Sequence, residues 1–302
     1  MVMKVKAALS GDGRIADWNY ELWSNTHSTR PSEPGGDNLL ASWYLAEPQR
    51  PSPPRMMPLP AGGGDRNAVP LYDFPRQRIV NHLIKDMPLR VSALRTLGAY
   101  ANVFAIESML DEIARELGVD PVEFRLRHMK DARARAVIES AAKAADWGKP
   151  LPPNHGRGIG FARYKNISAY CAVVCEVEAG ETLRVRRAVA AVDAGQIVNP
   201  DGLANQIEGG IVQAISWTLK EEVRWTREEI AVKSWDDYPI LGFAEIPEIE
   251  VVLLNHPELP GLGTGECAAG PTGAAIANAL HDALGVRARH LPLTPERIAR
   301  EM

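Results

Sequence analysis

Gly261-Leu262-Gly263-Thr264-Gly265-Glu266-Cys267-Ala268-Ala269-Gly270-Pro271-Thr272-Gly273 leads into an alanine-rich segment, Ala274 to Leu284, whose apolar spacing predicts a helix. Five glycines ahead of a helix expose backbone amides and let an anion or another backbone come close. A dinucleotide loop is one reading, because Gly263, Gly265 and Ala268 fit G-x-G-x-x-A. The context argues against it. That fingerprint follows a strand immediately, whereas Asn255 to Pro260 intervene after the apolar run from Ile249 to Leu254. Glu266 would also set a carboxylate beside a pyrophosphate, and Asp282, the later acid nearest the required spacing, falls inside the helix. A carboxylate between flexible glycines, near amide donors, is better placed to stay ionised and take a proton as a general base. An exposed loop glutamate is the plain alternative.

Upstream of this loop the chain alternates between strand and helix signals. Residues 1–9 and the run from Ile15 to Trp23, with Trp18, Tyr20 and Leu22 on alternate positions, flank Ser10-Gly11-Asp12-Gly13 and read as a hairpin. Val103, Ile106, Leu110, Ile113 and Leu117 form one helical stripe that Gly118 ends. Asp120-Pro121-Val122-Glu123 starts the next helix as N-cap, N1 proline and capping-box glutamate. An Ala-rich helix is predicted from Ala132 to Ala145. A subdomain boundary is expected in Leu151-Pro152-Pro153-Asn154, dividing the chain into residues 1–150 and 151–302. Beyond it, Ala169–Glu178 and Leu183–Val192 read as a strand pair, Leu203–Leu219 as a helix and Ile249–Leu254 as a strand. Thr294-Pro295-Glu296 caps a last short helix. Mixed elements without strict alternation place the chain in the α+β class.

Composition narrows the function classes. The 302 residues are 45% apolar and 24% charged, a globular balance with room for a sizeable core. No apolar run approaches the roughly 20 residues that span a bilayer, and Met1-Val2-Met3-Lys4-Val5 has no signal-peptide pattern, so a cytoplasmic location is expected unless a partner carries the chain to the periplasm. A net charge of −4 argues against non-specific nucleic-acid binding. Three cysteines, Cys171, Cys175 and Cys267, are too few for an iron–sulfur cluster, so any electrons leaving this chain pass to another. Cys171 and Cys175 share one strand face and read as core. The seven histidines show no metal-ligand spacing, and no side-chain metal site is expected.

Two further clusters could carry chemistry. Asp193-Ala194-Gly195-Gln196-Ile197-Val198-Asn199-Pro200 runs toward a helix bearing Gln206, Glu208, Gly209 and Gly210. Gln206 can offer a donor and an acceptor to a heterocycle, although the stretch is also ordinary strand-to-helix turn chemistry. Arg95-Thr96-Leu97-Gly98-Ala99-Tyr100 precedes the first long helix, where an arginine and a glycine can bind an anion together. The Pro- and Gly-rich residues 48–67 are either a linker or a functional, partner-bound loop.

Taken together, these clusters resemble the molybdenum-binding subunit of the xanthine dehydrogenase/aldehyde oxidase family, closest to its isoquinoline 1-oxidoreductase and nicotinate dehydrogenase type. The resemblance runs through Pro88 to Leu97, Phe104-Ala105-Ile106-Glu107-Ser108, Asp120-Pro121, Phe124-Arg125-Leu126, Asp193 to Gly210, Asp236 to Pro239, Pro247 to Glu250, Gly265-Glu266 and Ala274 to Ala279. It implies an α+β fold of mixed sheets with packed helices. It implies Glu266 as the active-site base, with Arg95, Gly98, Gln206 and Gly265 at a molybdopterin dinucleotide cofactor, in its cytosine form. The implied reaction is oxidative hydroxylation of an N-heteroaromatic compound or an aldehyde with water. The family's subunit is longer, so the implied partners are a separate N-terminal half and a two-iron two-sulfur chain. Leu97 stands where purine-oxidising relatives carry an aromatic ring, which disfavours xanthine. The alternatives are a truncated, non-catalytic binding or scaffold module and a nucleotide-binding domain that uses the Gly-rich loop.

Overall fold

The first hairpin forms where the alternation predicts it. β1 (Val2–Leu9) and β2 (Ile15–Ser24) pair antiparallel, and Gly13 supplies the positive φ of +77° in the turn between them. Trp18, Tyr20 and Leu22 point into the core. The structure is a computed structural model that describes residues 1–27, 41, 44–48, 53–89 and 91–302; Pro51 of the Pro-rich stretch and Arg90 of the family motif lie outside these. β3 (Arg76–Leu83), a strand the sequence did not announce, adds parallel to β2 at the far edge. None of its residues is buried, so no period-2 pattern marks it.

Three helices follow: α1 (Ala99–Glu116), α2 (Pro121–Arg127) and α3 (Ala132–Ala144). Gly118 leaves α1 at φ +65°, and the Asp120 carboxylate accepts from the amides of Val122 and Glu123 to cap α2. A second sheet then runs in spatial order through β4 (His155–Arg163), β5 (Tyr170–Ala179), β6 (Leu183–Asp193) and β7 (Glu248–Leu254). Its first three strands are antiparallel, and β7 joins β6 in parallel after α4 (Pro200–Leu219). α5 (Ala269–Leu284) and α6 (Pro295–Glu301) close the chain. Mixed sheets with packed helices make the fold α+β.

This second sheet is covered on both faces. Cys171, Val173, Cys175, Ala188, Ala190 and Val192 pack toward α4 and α5. Tyr170, Ala172, Val174, Val189 and Ala191 pack toward α3 and the aromatic face of β2. The first sheet draws only on residues before 150 and the second only on residues after it. The core between them is shared.

Two devices fix α5 at the centre. Gly156, Gly158 and Gly160 of β4 lie so close beneath it that an added Cβ would sit 2.1 Å from the Ala279 oxygen, 2.2 Å from the Ala279 nitrogen and 2.3 Å from the Pro271 oxygen respectively. All are backbone atoms, which cannot swing aside. α5 also starts earlier than its apolar stretch suggests, at Ala269 rather than Ala274. Gly270 meets the Val103 side chain and Gly273 the Tyr100 ring, so the last two glycines of the loop sequence are helical contact points against α1. Pro271 fits in the first turn because its missing N–H would have had no intrahelical partner. Beneath α1, Glu107 and Arg125 form a fully buried ion pair at 2.8 Å. Burial pushes the Glu107 carboxyl up against the pull of Arg125. The Tyr72 hydroxyl and the Phe161 amide donate to the same carboxylate.

Gly158→Val should therefore lower the stability of the full chain by about 3 kcal/mol through overpacking. Glu107→Ala should cost about 3–5 kcal/mol by stranding the Arg125 charge. Gly11→Ala, at a site with open space around it, should be nearly neutral. Urea unfolding of the three variants checks the order.

Candidate functional site

Three segments meet at the start of α5. Arg95, just ahead of α1, donates from Nε to the Gly265 carbonyl at 2.6 Å and from Nη2 to the Gln206 carbonyl at 3.0 Å. Its Nη1 reaches Gln213 Oε1 at 3.4 Å, further along α4. Next to it, the Thr96 amide donates to Glu266 Oε1 at 2.7 Å. The half-buried Glu266 carboxylate thus lies between the N-termini of α1 and α5, where both helix dipoles favour an anion. Thr96 and Leu97 both adopt positive φ, +77° and +51°. For a β-branched residue such as Thr96 that conformation is an outlier costing about 1–3 kcal/mol. It aims the amide at Glu266.

Gly98 explains why that loop can sit so deep. Its amide donates to the Gly63 carbonyl at 3.1 Å, and a Cβ on it would come within 2.1 Å of the Gly64 oxygen. The Asn102 side chain donates to the carbonyls of Gly64 and Arg66. Residues 62–67 of the Pro- and Gly-rich stretch are therefore packed against the start of α1, directly behind the site.

The Asp193 cluster acts at one remove. Asp193 accepts from Arg133 Nε at 2.7 Å, from the Gly195 amide at 2.9 Å and lies 3.3 Å from His256. Burial alone would raise its carboxyl, but Arg133, the Gly195 amide and His256 outweigh burial and hold it below the usual range. Gly195 turns at φ +67°, with the Pro260 carbonyl where its Cβ would be, and the Leu262 amide donates to Ala194 O at 2.7 Å. This turn clamps the segment that carries Glu266. Asn199 caps α4 by accepting from the Gly202 amide, with Pro200 at N1, so the Asn-Pro turn is the first turn of that helix.

The structure thus brings Arg95, Gln206, Gly265 and Glu266 together, while Gly98 supports the loop from behind. Thr96, Tyr164 and Arg66 were not anticipated. The Tyr164 phenol lies close enough to Glu266 to sense its charge, and Arg66 Nη1 donates to that phenol at 2.5 Å. The glycine triplet at 62–64, followed by Asp65-Arg66-Asn67, was the available signal. A second surprise is that Cys171 and Cys267 share one buried cluster: the neighbouring Cys267 thiol, then burial, pushes the Cys171 thiol well up, while Cys267 Sγ itself donates to the Thr264 carbonyl.

The surroundings suit a polar heterocycle. Gln206 is exposed and among the described residues uses only its carbonyls, leaving its Nε2 amide for a ligand. Thr96 Oγ1 is buried without a partner. Gly209 lies beside the Arg95 guanidinium, where a Cβ would sit 3.9 Å from Nη1. A cleft of about 960 Å³ opens beside Arg95, Thr96 and Leu97, with Leu94, Tyr100 and Trp217 among its walls. These groups fit one side of a pterin site: an amide donor and acceptor, a fixed guanidinium and a carboxylate, with Arg95 and Thr96 joining them to a cleft that Gln206 and Glu266 do not themselves line.

Arg95→Ala should loosen the cross-link. A hydrogen bond from a charged group contributes about 1.5–3 kcal/mol, so amides of residues 263–267 should exchange at least about tenfold faster in the variant. Hydrogen exchange of the full chain measures this, and amides in β5 serve as the unchanged control.

Comparison with known proteins gives the family. The sequence matches the molybdopterin cofactor-binding domain family over residues 98–247 and again over residues 63–129. It is 37% identical to one of the subunits of nicotinate dehydrogenase from Pseudomonas putida, over 98% of this chain and 25% of that protein. It is 35% identical to the beta chain of isoquinoline 1-oxidoreductase from Brevundimonas diminuta, over 74% of this chain and 29% of that one. The aldehyde oxidoreductase of Desulfovibrio gigas shares the fold with a TM-score of 0.73 at 16% identity, over 99% of this chain and 48% of that chain. The chain spans between a quarter and a half of the length of these proteins. It belongs to the molybdopterin-binding domains of the xanthine dehydrogenase family.

Proposed function

We propose that this chain is the C-terminal, cofactor-binding part of a molybdenum hydroxylase. The assembly uses water to hydroxylate an N-heteroaromatic compound or an aldehyde oxidatively and passes the electrons to an iron–sulfur partner. The observation that carries the reading is the meeting of Glu266 with Arg95, Thr96 and Gln206 from three distant segments.

The bound molybdopterin, in its cytosine dinucleotide form, supplies the redox chemistry. This chain supplies binding, orientation and a proton acceptor. Gln206 offers its amide to the pterin edge. Arg95 fixes the backbone of Gly265 and Gln206, so both sides of the contact keep one geometry. Glu266 takes a proton at the carboxylate while the Thr96 amide steadies Oε1. Leu97 and Leu94 give the cleft an aliphatic wall, suited to a flat heteroaromatic ring by contact rather than by ring stacking.

The site is one-sided, which supports a partner. We assign the facing wall to a separate N-terminal half of the molybdenum subunit and the electron path to a two-iron two-sulfur chain. Exposed Trp235 (77%) and Phe243 (96%), in the irregular stretch between α4 and β7, are apolar surface of the kind such a half would cover. We keep residues 1–150 and 151–302 as two subdomains, with Arg95 and Thr96 supplied by the first and Gln206 and Glu266 by the second. Among the described residues no helix is long and apolar enough to cross a membrane. We place the assembly in the cytoplasm, or in the periplasm if a partner exports it.

Co-expression with these partners should yield a molybdenum-containing complex that substrate reduces. Glu266→Gln should slow that reduction by about 10²–10⁴-fold, the usual contribution of a general base, with molybdenum content unchanged. Full activity in the variant removes Glu266 from the chemistry. Binding of a nicotinamide or adenine nucleotide by a molybdenum-free chain would instead favour the nucleotide-binding alternative.

A further inference from the structure

The loop ahead of α1 is strained where it meets the site. Thr96 and Leu97 stand consecutively at φ +77° and +51°, a region that suits glycine and that a β-branched side chain resists. Gly98, the one residue of the loop that could take such an angle freely, sits instead at −70°. The Thr96 side chain adds a second penalty, because its Oγ1 is buried without a hydrogen-bond partner among the described residues. A loop penalised twice at one residue keeps its shape only if its surroundings hold it there.

It is held from two sides. On one, the Gly98 amide donates to the Gly63 carbonyl at 3.1 Å, and that anchor is itself fixed: the Gly63 amide donates to the buried Asp65 carboxylate at 3.0 Å, and Arg66 donates to the carbonyls of Ala61 and Gly62. This anchor reaches the loop at residue 98, beyond the strained pair. On the other side two adjacent residues grip two adjacent residues. Arg95 Nε donates to the Gly265 carbonyl at 2.6 Å, and the Thr96 amide donates to Glu266 Oε1 at 2.7 Å. The bonds inside the loop, from the Leu97 amide to Leu94 O and from the Ala99 amide to Thr96 O, both at 3.1 Å, close turns around the strained pair without relieving it. The Thr96 to Glu266 bond is the one that ties the strained peptide to the α5 segment.

We propose that Glu266 is the latch of this loop. Its carboxylate holds residues 95–97 in the strained shape, and a ligand donor that claims Oε1 frees the Thr96 peptide to relax. The relaxation shifts Leu97, and Leu94 with it, in the wall of the adjoining cleft. Occupation of the carboxylate and the shape of the cleft are then one equilibrium, coupled equally in both directions. Strain works in favour of release: the energy recovered as the loop relaxes offsets part of the bond given up. The carboxylate is therefore held while idle and surrendered to a good donor. This task does not require Glu266 to be the base.

Hydrogen exchange of the full chain, with no cofactor bound, tests this at the amides of Leu97 and Gly98, which donate to Leu94 and Gly63. Glu266→Ala removes the latch and should speed both amides by about tenfold or more, the worth of a hydrogen bond to a charged group. Thr96→Gly removes the strain, because glycine takes a positive φ freely. The double variant Thr96→Gly/Glu266→Ala should therefore stay within about threefold of Thr96→Gly alone. A smaller acceleration in Glu266→Ala overturns the proposal. So does a double variant that exceeds Thr96→Gly by more than that margin, since the carboxylate would then be one more hydrogen bond and no latch on strain. Should Glu266→Ala not fold, Glu266→Gln takes its place in the same cycle, with an expected acceleration of about fivefold for its weaker, neutral acceptor. A chain that proves not to be a hydroxylase would fail the Glu266→Gln turnover test yet leave this result standing.

Discussion

The Arg95 guanidinium donates to the carbonyls of Gly265 and Gln206, and the amide that follows it in sequence donates to Glu266. The proposed site depends on that cross-link. It ties the start of α1 to the start of α5 and to the first turns of α4, three elements far apart in the sequence. A guanidinium suits this work because its planar fork can serve several carbonyls at once and stays charged at every relevant pH. A lysine in its place would offer a point charge and lose the geometry.

The cross-link is only as precise as the framework around it. Glycine provides that framework wherever two backbones touch: Gly156, Gly158 and Gly160 seat α5 on β4, Gly98 seats the Arg95 loop on Gly63 and Gly64, and Gly195 seats the Glu266 segment on Pro260. These contacts involve main-chain atoms, so their geometry does not depend on rotamers. The strained pair Thr96 and Leu97 can persist because Gly98 and Asn102 pin the backbone on one side and Glu266 binds it on the other. A site built this way is pre-organised before any ligand arrives.

Much of this was legible in the sequence, and the omissions have physical causes. The Asp120 and Thr294 caps, the Gly118 stop and the α1 stripe from Val103 to Ile113 are local signals that form as expected, whereas Leu117, the last residue of that stripe, lies exposed past the end of the helix. β3 was missed because an edge strand with no buried residue shows no alternation. The Gly-rich β4 reads weakly as a strand because its glycines answer to the helix above it rather than to strand propensity. The first turn of α5 reads as loop for the same reason. At the site, Arg95, Gln206, Gly265 and Glu266 stand in recognisable motifs. Thr96 contributes only its amide, which any residue but proline would supply, and so carries no signature. Tyr164 and Arg66 come from segments whose meeting depends on tertiary packing alone.

The most direct test of the central claim is the pterin and molybdenum content of the natively purified assembly, measured for the unsubstituted chain and for Arg95→Ala. The account predicts one pterin and one molybdenum per copy of this chain, and a marked loss of both in the variant. An assembly that contains neither, or an Arg95→Ala variant that retains both in full, would contradict it.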